Sequence, residues 1–309
     1  MHSRRGCGAV TTLACLDGAF SARSARSRGV TETMGKFIDK LRQVGQGGGG
    51  SFGFFGRGQV ASAPARPAAV IVTLAASNVA AAEAAAKAGA DAIIIAGWKP
   101  DTDTSAIKTT LESANVVWGV EYAGDAENAA EAAQSAGAGF LLLGPDASAA
   151  LLFDKPEQLD RVVTLSAPQT EMDILLYRMA NALPAQAALV TLPVGMRDLP
   201  KQSLSEFSRL ALLASSVRFP LLAVVDETPD LRASRTLVRM GFDGIVLTGV
   251  GASVDQIAQQ VQSVRAHLEK IPMNEAQGRE GVTLSGLMGN LGAGVQPERR
   301  EPDKEPDHE

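Results

Sequence analysis

Few residue types in this chain can do chemistry. Both cysteines, Cys7 and Cys15, fall near the start, and the histidines are His2, His267 and His308. A zinc site of thiolates and imidazoles needs three or four such ligands from the folded body. Between 66 and 271 the sequence offers only His267, inside the helical stretch VQSVRAHLEKI. Ser–His and Cys–His nucleophilic pairs are excluded on the same ground. Catalysis therefore falls to carboxylates, lysine, tyrosine, hydroxyls, backbone groups or a bound cofactor. Such residues recur directly after short apolar runs: GWKPDTD with Lys99, Asp101 and Asp103, GVEYAGD with Glu121, LLGPDAS with Asp146, PVGMRD with Arg197, VVDETPD with Asp226 and Glu227, and LTGVGAS. In general acid–base chemistry, Glu121 or Asp226 would move the proton and Lys99 or Arg197 would orient an anionic substrate. Lys99 as a Schiff-base former needs a desolvated setting, yet Asp101 and Asp103 flank it. Glu121, Asp146, Asp226 and Glu227 form a candidate set of hard oxygen ligands for Mg²⁺. Against that set, adjacent residues such as Asp226 and Glu227 point to opposite sides of a strand. Thr228-Pro229-Asp230 also reads as an ordinary helix start, with Thr228 as the cap.

The elements that position these residues alternate regularly. Apolar, β-branched-rich runs cover 69–75, 92–96, 116–121, 140–143, 161–165, 188–192, 220–225 and 244–248. Between them lie stretches of helical spacing such as NVAAAEAAAKAGA and SVDQIAQQVQSVRAHL. The runs lack clean alternation, as parallel strands covered on both faces do. Eight strands, each followed by a helix, predict a (β/α)₈ TIM barrel over 66–271. An internal repeat supports it: AGADAIIIAG begins at 88, AGAGFLLLG at 136, PAQAALVTL at 184 and MGFDGIVLTG at 240. These segments would be strands two, four, six and eight, with Gly89, Gly137 and Gly241 capping the preceding helices in left-handed backbone. A doubly wound open sheet is the rival architecture, and it requires a reversal of strand order rather than this rhythm. In a barrel the strand ends listed above share one rim, where barrel active sites form.

The eighth strand end, TGVGAS ahead of a helix, resembles the phosphate-binding loop of the large phosphate-binding group of (β/α)₈ barrels. MGFDGIVLTG resembles that group's final strand. The resemblance implies an anion held by backbone N–H groups around Thr248, Gly249, Gly251 and Ser253. It also implies room for a phosphate-bearing cofactor such as FMN, which would colour the protein yellow. Ser253 with Gln256 is equally a capping box, and Gly251 equally a turn residue. The chain departs from the group after strand seven, where Asp226, Glu227 and Asp230 stand in place of a glycine-rich turn. Carboxylates there repel phosphate by about 1 kcal/mol per close pair in water.

The ends of the chain differ from this body. Residues 1–65 read as a flexible leader, with Met34 as a second candidate start followed by a short amphipathic helix over 36–44 and the linker GQGGGGSFGFFGRGQ. Residues 272–309 read as a disordered tail in which acidic residues outnumber basic ones. The formal net charge of -5 argues against nucleic acid as partner. The cysteine-free body is compatible with a reducing cytoplasm. Two functions follow as expectations. One is a lyase or isomerase acting on a small anionic metabolite at the barrel mouth. The other is a non-catalytic module that binds a membrane surface or a protein through 34–60.

Overall fold

The computed structural model describes residues 35–46 and 65–275, apart from 125–127, 154–155, 157, 168–169, 194 and 197. The leader before 35, the Gly/Phe linker and the acidic tail lie outside the described residues. Eight parallel strands close into a barrel in sequence order: β1 (Ala69–Ala75), β2 (Ala92–Ala96), β3 (Val117–Tyr122), β4 (Phe140–Leu143), β5 (Asp160–Ser166), β6 (Ala187–Thr191), β7 (Leu221–Val225) and β8 (Gly244–Thr248). The register closes the ring by pairing Thr73 with Thr248 across β1 and β8. The expected TIM barrel is what the chain forms.

Helices cover the outside: α2 (Val79–Ala88), α3 (Ser105–Ser113), α4 (Ala129–Ala136), α5 (Glu171–Ala180), α6 (Leu204–Ser216), α7 (Leu231–Met240) and α8 (Val254–Leu268). Where a helix was expected after β4, the described residues form a single 3₁₀ turn, Ala149–Leu152. Arg161 holds that connection from beneath, donating from Nε to the Leu151 carbonyl at 3.0 Å and from Nη1 to that of Pro156 at 3.1 Å.

The repeat has a physical basis in how the even strands begin. Gly89, Gly137 and Gly241 have φ of 93°, 97° and 94° and end α2, α4 and α7 as anticipated. Two residues after Gly89 and Gly241, an aspartate clamps the preceding strand. Asp91 donates its N–H to the Val70 carbonyl and accepts the Val70 N–H on its carboxylate, at 2.7 and 2.8 Å. Asp243 does the same to Leu221, at 2.7 and 2.8 Å. Before β6, Gln186 makes the equivalent pair with Arg161 at 2.8 and 2.6 Å. At β4 the position is Gly139, which keeps only the backbone bond, to Trp118, at 2.8 Å. One polar side chain thus sets the register of three of the four modules. Asp91 also pairs with buried Arg66 at 2.7 Å.

The predicted amphipathic helix exists as α1 (Lys36–Gln46), but its apolar face is already occupied. Phe37, Ile38 and Val44 are buried in the cluster that fills the barrel's lower lumen, and the Phe37 ring stacks on Phe140 at 4.1 Å. Asp160, the first residue of β5, accepts the N–H groups of Phe37 and Ile38 at 3.1 and 3.2 Å, and so caps α1. Burial holds the Asp160 carboxyl above its ordinary range, against the lowering effect of those N–H donors. The helical part of the 34–60 segment is therefore a floor of the barrel. The face that would have lain on a membrane is the face the barrel covers.

Because barrel strands tilt, residues at one height come from alternate strands. The lumenal cluster identifies the inward-facing set and the register orders it into tiers. Above the bottom positions Ala69, Val117 and Asp160 come Ala92, Phe140, Ala187 and Gly244, followed by Ile71, Gly119, Val162 and Leu222. Above them Ile94, Leu142, Leu189 and Val246 complete an apolar fill. Gly119 leaves the space that Phe140 takes, since a Cβ there would meet its ring at 2.5 Å.

Candidate functional site

Above the Ile94 tier the lumen changes character. Continuing the two-residue alternation, the next inward positions are Thr73, Glu121, Thr164 and Val224, all half-buried. The tier above that is Ala96, Gly144, Thr191 and Thr248. An apolar column is thus roofed by four threonines and one carboxylate. Ala96 and Gly144 lie on the strands either side of Glu121 and leave its carboxyl room. Desolvation raises the Glu121 pKa above the usual glutamate value, which makes it a proton acceptor of increased basicity.

A cleft of about 530 Å³ opens at the ends of β2 and β3, and both Glu121 and Lys99 line it. Lys99 is solvent-exposed on a turn in which Thr102 donates its N–H to the Lys99 carbonyl at 2.9 Å and accepts the Lys99 N–H on its hydroxyl at 3.0 Å. That exposure suits a counter-charge rather than a desolvated Schiff-base amine. Asp103 accepts the Ser105 N–H at 2.9 Å, which lowers its pKa, and it serves the start of α3. The cleft wall includes Trp98, 3% exposed and edge-on to Tyr122 with ring centroids 6.1 Å apart. The Trp98 indole N–H is buried without a hydrogen-bond partner among the described residues. Trp118, the other tryptophan, is buried in the outer core as expected for packing.

Of the residues singled out from sequence, Glu121, Lys99 and Asp101 line this one cleft. Asp226 follows β7, across the ring from β3, and is exposed without lining the cleft. Arg197 lies outside the described residues, while its neighbour Asp198 pairs with Lys201 at 3.2 Å. Asp146 and Glu227 are exposed on the loops after β4 and β7. Among the described residues no three of the metal-ligating types gather, so Glu121, Asp146, Asp226 and Glu227 do not form the carboxylate cage drawn from sequence. Their strands are spread around the ring, and the loops do not fold them inward. The cap of α7 is Asp230, whose carboxylate accepts the Ala233 N–H at 2.7 Å, and not Thr228. His267 sits in the last turn of α8 with Nδ1 3.1 Å from the Pro229 carbonyl, a contact between elements rather than a catalytic one.

The TGVGAS loop forms the turn expected, with Gly251 at φ 82° and a complete capping box between Ser253 and Gln256. Several of its N–H groups are engaged internally. Gly249 donates to the Thr73 carbonyl at 2.9 Å, Ala252 to that of Gly249 at 3.2 Å, and Ser253 to the Gln256 side chain at 3.0 Å. Gly249 is required by close approach, since a Cβ would come within 3.0 Å of the Thr73 carbonyl oxygen. Thr73, Thr164 and Thr191 were not singled out from sequence. The signal was present as a threonine at or near the end of four strands: AVIVTLA, DRVVTLS, AALVT and GIVLT.

No protein-family model matches this chain, and no curated protein matches its sequence. Among solved structures it is similar to thiamine phosphate pyrophosphorylase from Pyrococcus furiosus, at 14% identity and TM-score 0.51 over 66% of this chain and 97% of that one. It is also similar to tryptophan synthase from M. tuberculosis, at 13% identity and TM-score 0.53 over 77% and 98%. A protein from Aquifex aeolicus VF5 aligns at 11% identity and TM-score 0.51 over 76% and 99%. At these identities the likeness is one of fold. That fold is the (β/α)₈ barrel, and no specific family emerges. No helix among the described residues is long and apolar enough to cross a membrane.

Proposed function

We propose that the chain is an enzyme of proton transfer, a lyase or isomerase that acts on a small anionic molecule at the mouth of the barrel. Glu121 is the general base, and Lys99 supplies the counter-charge for the substrate's anionic group. The observation that carries this reading is the shared cleft: a half-buried carboxylate of raised pKa and an exposed ammonium line one opening of about 530 Å³. Partial desolvation strengthens a carboxylate as a base, and a fixed cation stabilises the negative charge left when a proton departs. The apolar tiers beneath close the lumen and confine the chemistry to the rim.

The test is solvent-proton exchange. The protein is held in D₂O with a panel of small hydroxy- and oxo-carboxylates, and deuterium entering carbon positions is followed by NMR. The expected result is labelling of at least one compound by the wild type and loss of that labelling, by about a hundredfold or more, in Glu121→Gln. Labelling at the same rate by the variant, or no labelling of any compound, would overturn the proposal.

A further inference from the structure

We infer that the barrel mouth binds a hydroxyl-rich carbon chain bearing a single negative charge, through a ring of inward-facing threonines. This names the substrate class of the site proposed above and rests on that reading. The ring is Thr73 and Thr164 in the tier of Glu121, with Thr191 and Thr248 in the tier above. Thr73 and Thr248 are direct register partners on neighbouring strands, about 5 Å apart along the ring.

The chemistry of the ring is specific. Below it every inward position among the three lower tiers is apolar or glycine, so threonine here is not a general feature of this lumen. A valine of the same shape would fill each place without a polar group. Among the described residues, no protein hydrogen bond is made by the hydroxyls of Thr73, Thr164 or Thr191, and Thr248 reaches only the Val225 carbonyl at 3.4 Å. Each hydroxyl can both donate and accept, which suits a ligand whose own groups do both. Charge limits the choice further. Among the described residues the rim loops carry Asp101, Asp146, Asp226 and Glu227, with Lys99 as the cation that lines the same cleft as Glu121 and Asp101. One anionic group can sit at Lys99, and a second, further along the ligand, would face carboxylates.

The experiment compares six-carbon probes by ligand-observed saturation-transfer NMR: D-gluconate, D-glucitol, hexanoate and 6-phosphogluconate. The expected order is gluconate first, glucitol weaker, and hexanoate and 6-phosphogluconate weaker still. The isosteric double variant Thr73→Val/Thr248→Val should weaken gluconate by about tenfold. Thr191→Val, at an exposed position, should weaken it by a smaller factor and guards against a folding defect in the double variant. Hexanoate binding as well as gluconate, or gluconate unaffected by both threonine variants, would overturn the inference. Glu121→Gln separates the two readings. It should abolish exchange while leaving gluconate bound; exchange without hydroxyl-dependent binding refutes this inference alone, and hydroxyl-dependent binding without exchange refutes the catalytic reading alone.

Discussion

Glu121 occupies a place that in the tiers below belongs to a packing side chain, and its environment has a measurable consequence. Its pKa is raised by desolvation, so the folded state holds that proton more tightly than the unfolded chain does. The resulting contribution to stability is fully present below the unfolded-chain value and is lost as pH rises through the folded one. Removing the charge should therefore help at neutral pH. Glu121→Gln is expected to melt above the wild type at pH 7 to 8, with the two curves converging below about pH 4, where glutamate is protonated in both states. A melting difference independent of pH would contradict the desolvated setting. The carboxylate was legible in the sequence because it stands at a strand end, where a barrel gathers polar groups. Its threonine neighbours were not, because their common level depends on a register that only the closed ring defines. That Asp226 lies away from the cleft was illegible for the complementary reason: a strand-end position assigns a residue to the rim but not to a side of it.

The helix α1 shows what an amphipathic pattern leaves open. The stripe of Phe37, Ile38, Leu41 and Val44 was visible as a helix, but an apolar stripe fits a membrane, a partner or a barrel floor equally well. What seats the stripe on the barrel is far away in sequence: Asp160 accepts the N–H groups at the start of the helix and Phe140 stacks on Phe37. The interaction is testable at two points. Phe37→Ala removes a fully buried ring stacked on Phe140 and should cost about 3–5 kcal/mol, read as a shift of the urea midpoint. Gly35→Ala would drive a Cβ into the Asp160 carboxyl and should loosen α1, read as faster amide exchange over 37–46. Unchanged midpoint and exchange in these variants would mean that α1 does not seat on the barrel. The connection after β4 was similarly illegible, since LGPDASAALLFDKPEQLD carries apolar residues compatible with a helix, yet its described residues form only the 3₁₀ turn Ala149–Leu152, which Arg161 ties down.

The fold as a whole was the most legible feature, because the rhythm of short apolar runs and glycine-capped helices is a direct consequence of βα units closing a ring. Gly89, Gly137 and Gly241 take the left-handed backbone that their positions required. What the rhythm conceals is the division of the lumen. From the outside of the sequence all eight strands look alike, yet their inward residues build a sealed apolar column with a polar rim, and α1 closes the opposite end. The proposed chemistry depends on that division, since a fully packed lumen would leave Glu121 nothing to act on and an open one would leave it hydrated. A pH titration of the Glu121 side-chain carboxyl carbon by ¹³C NMR, assigned against Glu121→Gln, addresses this without any knowledge of substrate. The account predicts a midpoint clearly above the value of about 4.3 found for free glutamate. A midpoint at or below that value would show a solvated surface carboxylate, and the catalytic rim described here would not exist.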